Sequence, residues 1–227
     1  MPSVKRKLTF SARKSAKKSK SLVSARGLST TVNTALGGIP QRIRTRLIYS
    51  DAVRLTAAAG TQNYLFRLNS LFDPDLTGTG HQPQFFDQYA TLYNNYRVWN
   101  CRWIINARSA TTGTPVNIMV SPENGSTTWG ADMFLGEHPQ AQQRLLESAN
   151  TGVTFMSGSV SLPALNGVTA AEYKDDKYMA AVTTNPSDLN ILHIHTYSPI
   201  DLAHEVDVTI KLIYDVEFFD YKQVAQS

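Results

Sequence analysis

From Arg42 onward the chain alternates apolar and polar residues with a period of two. Leu47, Tyr49, Val53 and Leu55 share one parity, and Arg42, Arg44, Arg46, Ser50 and Arg54 share the other. Tyr64, Phe66 and Leu68 alternate with Asn63, Arg67 and Asn69. Trp99, Cys101, Trp103, Ile105 and Ala107 alternate with Asn100, Arg102, Asn106 and Arg108. Val116, Ile118 and Val120 form a shorter run, and Val206 to Phe218 the longest. Residues 152–162 and 190–197 alternate more weakly. This repetition predicts half-buried antiparallel strands with Trp99, Trp103, Tyr214 and Phe218 facing a shared core.

Between the strands lie long turn-rich loops, at 73–83, 121–130, 163–177 and 183–188. Helical spacing of Phe85, Tyr89, Leu92 and Tyr96 predicts a helix over 84–94, and a second short helix is expected over 140–148. The pattern is all-β, a two-sheet antiparallel sandwich, of which the eight-stranded jelly roll is one design.

The first fifty residues differ in kind. Lys5, Arg6, Lys7, Arg13, Lys14, Lys17, Lys18, Lys20, Arg26, Arg42, Arg44 and Arg46 make 12 basic residues, with no acid before Asp51. Of 22 Lys and Arg, 10 therefore remain in the rest of the chain against all 18 Asp and Glu, a net charge of −8. Residues 1–41 read as a disordered arm, because serines punctuate the cations and Phe10 is its sole aromatic. A cationic arm on an acidic body points to nucleic acid or another anionic surface. Its clusters at 5–7 and 13–20 also fit an import signal. There is no apolar leader and no membrane-length apolar run.

Catalytic chemistry finds little material. The one cysteine, Cys101, sits on the apolar parity between two tryptophans and is expected to fill core space. His193 and His195 face the same side of a strand, but no third ligand of suitable spacing accompanies them, so a hydrogen-bonded structural pair is expected. The acids at 73 and 75 and at 175–176 read as turn formers, without calcium-loop spacing. No catalytic residue, metal or cofactor is assigned. A nuclease built on His193, His195 and loop acids is the enzyme reading this leaves.

Two binding features stand out. Arg42, Arg44, Arg46, Arg54, Arg67, Arg102 and Arg108 occupy polar parities, on strands whose one acid, Asp51, lies on the opposite parity. Were those faces to converge, Arg42, Arg44, Arg46, Arg54, Arg102 and Arg108 would extend the arm into a folded phosphate-binding surface. Phe85, Phe86, Tyr89, Tyr93 and Tyr96 are too dense for a helix to turn them all inward, so Phe85, Phe86, Tyr89 and Tyr93 are expected at a contact between subunits. The competing expectation places all five in the subunit's own core.

The segment from Leu71 to Ile105, above all TGTGHQP, FDQY and LYNNYRV, resembles the capsid proteins of small circular single-stranded DNA viruses that encode a replication initiator. It is also similar to capsids of plant satellite viruses. The resemblance implies a single jelly-roll domain over 42–227, a shell of about sixty subunits with icosahedral symmetry, and an interior arm over 1–41 on the genome. It further implies a virion protein with a nuclear stage, whose partners are copies of itself, single-stranded DNA, host import machinery and a host surface receptor, with no membrane insertion. A cellular all-β nucleic-acid-binding module that forms no shell is the alternative.

Overall fold

The computed structural model describes residues 39–58, 60–125, 137–146, 152–200 and 203–223. In chain order the elements are β1 (Arg42–Ala57), β2 (Thr61–Arg67), α1 (Phe86–Leu92), β3 (Tyr93–Ser109), β4 (Val116–Asn124), β5 (Gln142–Leu146), β6 (Thr154–Ser161), α2 (Leu162–Leu165), β7 (Ala180–Ala181), β8 (Asn190–Tyr197) and β9 (His204–Tyr221). Two short 3-10 turns, Glu172–Lys174 and Asp176–Tyr178, precede β7.

The strands form two sheets, ordered β1-β9-β3-β6 and β2-β8-β4-β5, with the two-residue β7 added beside the start of β3. Every pairing is antiparallel. Setting β7 aside, first pairs with last and second with second-last. The inner strands likewise pair β3 with β6 and β4 with β5. That nesting is one long antiparallel hairpin rolled over into two Greek keys. The chain is a jelly roll.

Alternation explains the packing. On β1 and β9 the odd-numbered residues of β1 and the even-numbered residues of β9 turn inward: Leu47, Tyr49 and Leu55 meet Val206, Ile210, Leu212, Tyr214 and Phe218 in one cluster with Phe66, Ile118, Val120, Leu192 and Ile194 of the opposite sheet. Each such side chain contributes about 1.5–3 kcal/mol on burial. Gly158 lies opposite Trp103 in the β3–β6 register, and a Cβ there would overlap the indole. The Trp103 ring occupies the space a side chain at 158 would need.

Four sequence expectations change here. Trp103, Tyr214 and Phe218 are buried in the core, but Trp99 is not. A register shift between Val98 and Asn100 inserts Trp99 as an extra residue, so the inward parity switches from Tyr96 and Val98 to Cys101, Trp103 and Ile105. Trp99 turns to the outer face, half-buried against Tyr173. The segment expected as a helix over 140–148 contains β5 instead, an edge strand paired with Val116–Val120 of β4. The expected loop from 121 begins later, because β4 runs on to Asn124. The helix expected over 84–94 is shorter, and Tyr93 already opens β3.

Candidate nucleic-acid interface

The outer face of the larger sheet carries the folded cations. Register places them in rows across three strands. Arg54 of β1, Asp207 of β9 and Arg108 of β3 form one row. Arg54 Nε donates to Asp207 Oδ1 at 2.7 Å, Arg108 Nη2 to Asp207 Oδ2 at 3.0 Å, and Glu205 lies 3.4 Å from Arg54 Nη1. Hydrogen bonding from Arg54, joined by that from Arg108, holds the Asp207 carboxyl below its ordinary range. Further along, Arg46 Nε donates to Asp215 Oδ1 at 2.9 Å.

Toward the start of β1 the pairing becomes a stack. Arg42 lies over the Phe219 ring at 5.3 Å and Arg44 over Trp99 at 4.8 Å. The buried Arg97 sits between Phe219 and Trp99, at 5.1 and 5.9 Å. Glu217 accepts from Trp99 Nε1 at 3.0 Å and is 3.6 Å from Arg42. Arg97 Nη2 donates to Lys174 O at 2.6 Å, tying the 3-10 turns onto this corner. Burial pushes the Arg97 guanidinium below its ordinary value, partly offset by Glu217.

The expected all-cation surface is therefore a mixed one. Arg42, Arg44, Arg46, Arg54, Arg102 and Arg108 do share this face, joined by Lys211, but β9 interleaves Glu205, Asp207, Asp215 and Glu217. Seven exposed cations against four acids leave a net charge of +3. Reading β1 and β3 alone hid the acids, which come from a strand about 150 residues later. Arg67 is not on this face. It lies on β2 and clamps the following loop, donating from Nη1 to Asp73 Oδ2 at 2.7 Å and to the carbonyls of Asp73 and Asp75. The paired acids at 73 and 75 thus serve a turn, with Asp75 also accepting from Tyr64 and Thr77. Lys5, Arg6, Lys7, Arg13, Lys14, Lys17, Lys18, Lys20 and Arg26 lie outside the described residues.

The aromatic segment divides. Phe86 and Tyr93 are each 1% exposed and belong to the subunit core, as does Tyr96, so the expected contact role of Phe86 and Tyr93 is corrected. They are inward because Phe86 packs edge-on against Tyr96, and Tyr93 begins β3 with its hydroxyl donating to Pro40 O at 2.8 Å. Tyr89 is partly buried, stacked on Phe218 at 4.8 Å. Phe85 alone of the five projects outward, 58% exposed, and its φ of 72° lies in the left-handed region. A non-glycine residue there costs on the order of 1–3 kcal/mol.

The outer face of the smaller sheet is the opposite in character. His193 and His195 share a side of β8 and are 2% and 3% exposed. His193 Nε2 lies 3.6 Å from Glu123 Oε2, and His195 is hydrogen-bonded to Asn63 through Nδ1. Burial, with nearby His195 and His138, pushes His193 down to about 4, so its ring is neutral near pH 7. His138 Nδ1 and Ser121 Oγ are 3.0 Å apart at the same surface. No group of three or more metal-ligating side chains suited to an ion occurs among the described residues. Cys101 is fully buried, and burial pushes its thiol well above the ordinary range, which removes it as a nucleophile.

No protein-family model and no curated protein matches the chain. Among solved structures it is similar to the empty head of turnip yellow mosaic virus, at 11% identity over 88% of this chain and 93% of that one, with a TM-score of 0.43. It is also similar to the decameric BFDV capsid protein, at 9% identity over 80% and 99%, TM-score 0.43, and to a nora virus chain, at 10% identity over 87% and 67%, TM-score 0.45. The strand order above, rather than these distant likenesses, carries the fold assignment. No helix among the described residues is long and apolar enough to cross a membrane.

Proposed function

We propose that the chain is a structural capsid protein: copies of it assemble into a closed shell, and residues 1–41 form an arm that binds single-stranded nucleic acid. One observation carries the reading. A segment, residues 1–41, with nine basic residues and no acid leads directly into the first strand of a jelly roll, whose outer face continues with Arg42, Arg44 and Arg46. Tyr93 holds the root of that segment through Pro40 O, at the end of the sandwich where β1 begins and β9 ends.

Lys and Arg contacts to phosphate carry no base information, so the arm packages by charge. About sixty copies of the 12 cations that precede Asp51, the arm's nine with Arg42, Arg44 and Arg46, would supply roughly 720 positive charges, enough to neutralise much of a strand of about a thousand nucleotides. The resemblance noted in the sequence favours DNA as cargo, the virion as location and the host nucleus as the place of assembly. Phe85 is proposed as a subunit contact, because an exposed aromatic held in a costly backbone conformation gains nothing from water.

Deletion of residues 2–26 tests the arm. Packaging is expected to be lost or sharply reduced while the sandwich still folds, since no core strand is touched. Packaging equal to that of the full chain would overturn the assignment.

A further inference from the structure

β9 answers the arginines at both ends of the outer face with acids, but at its centre it presents Ile213, between Ile48 of β1 and Arg102 of β3. Arg102 is exposed and, among the described residues, has no acidic partner. Across from it β6 places Ser159, and one row further Asn100 faces Ser161. None of these four side chains makes a hydrogen bond or ion pair within the described chain. Together with Ile213 and the Arg46–Asp215 pair, they line a pocket of about 440 Å³.

The donors suit an oxyanion. A guanidinium offers a planar fork that matches two phosphate oxygens, while hydroxyl and amide groups serve the remaining ones. The one carboxylate in the lining, Asp215, is already engaged by Arg46. Small serine side chains leave the volume open, and no aromatic ring lines it on which a base could stack. We propose that this pocket binds a phosphate group, and that in the assembled protein this is one phosphodiester of a single nucleic-acid strand crossing the sheet. The phosphodiester assignment rests on the nucleic-acid reading above; the phosphate chemistry does not.

The test uses the full chain and three variants: Arg102→Gln, the double variant Ser159→Ala/Ser161→Ala, and Arg144→Gln as a control that removes an exposed cation from β5 of the other sheet. Affinity for a 20-nucleotide oligothymidylate is measured against salt concentration. Arg102→Gln is expected to reduce the slope of log affinity against log salt by about 0.7, the value for one single-strand phosphate contact, and Arg144→Gln to leave it unchanged. The double serine variant, on an exposed edge strand, is expected to weaken binding about threefold, a fraction of the roughly 1 kcal/mol a hydrogen bond contributes.

Melting with and without millimolar inorganic phosphate forms the second arm. If the wild-type protein binds the oligonucleotide but the Arg102 and serine variants behave like wild type, the pocket assignment fails and the nucleic-acid reading stands. If oligonucleotide binding is absent but phosphate raises the melting temperature of wild type and not of Arg102→Gln, the pocket stands as a free-phosphate site and the nucleic-acid reading fails. If neither ligand acts, both fail.

Discussion

The two sheets of this jelly roll use their outer faces in opposite ways. On β1 and β9 many of the outward residues are charged, exposed arginines on β1 matched to partly exposed acids on β9 in Arg–Asp and Arg–Glu pairs. On β8 the outward residues are His193 and His195, buried almost as deeply as Leu192 and Ile194 on the core side. The first face can meet an anion at little desolvation cost. The second has already surrendered its water and holds His193 neutral. A shared architecture therefore carries a surface for electrostatic binding on one side and a packed, acid-sensitive layer on the other.

The largest expected effect probes the core both faces share. Trp103→Ala should cost about 3–5 kcal/mol, read as a large fall in melting temperature, and Trp99→Ala should cost clearly less, because the bulge turns Trp99 outward. Equal losses would mean the bulge does not divide the two residues.

Acid separates the faces next. His193 has its proton affinity lowered in the fold to about 4 from an unfolded 6.5, so the unfolded chain binds more protons between those values. Stability should be fully present above pH 6.5 and fall as pH drops toward 4. Asp207 is also shifted down, below its ordinary 3.8, so it stays ionised and its ion pairs persist through that window. A melting curve series from pH 7.5 to 4, repeated on His193→Gln, checks this: the variant should show a flatter decline.

Asp207→Asn sharpens the charged face. It releases Arg54 and Arg108 while removing only exposed pairs, which are worth about 0–1 kcal/mol. Melting temperature should barely move, and affinity for single-stranded nucleic acid should rise with a steeper salt dependence, by about 0.7 for each newly engaged phosphate. Unchanged affinity would show that strands do not reach that row.

The smallest effect on stability concerns Phe85. Phe85→Gly relieves a left-handed conformation that costs about 1 kcal/mol, so the subunit should melt at the same or a slightly higher temperature. Assembly, followed by light scattering, should nonetheless weaken. Unaltered assembly would remove Phe85 from the contact.

How much of this was legible in the sequence follows from the same contrast. Half-exposed strands announce themselves: the parities of β1 and β9 are visible in Leu47, Tyr49 and Leu55 and in Val206 through Phe218. Strands buried on both faces do not, so the extent of β4 past Val120 was hidden. β5 buries only Leu146, and its Gln and Arg residues favour helix locally, a preference that pairing with β4 overrides. A bulge leaves no mark in a regular alternation, which is why the pattern alone places Trp99 inward. The arginine row was visible, but its acids and the serines opposite Arg102 belong to strands brought alongside only by the roll.

The central claim is that the chain closes on itself into a shell around nucleic acid. Size-exclusion chromatography with light scattering on the expressed full-length protein, followed by nuclease treatment and extraction, tests it most directly. The account predicts a particle of about sixty chain masses containing nuclease-protected single-stranded nucleic acid. A monomer or small oligomer that binds nucleic acid without protecting it would contradict the claim.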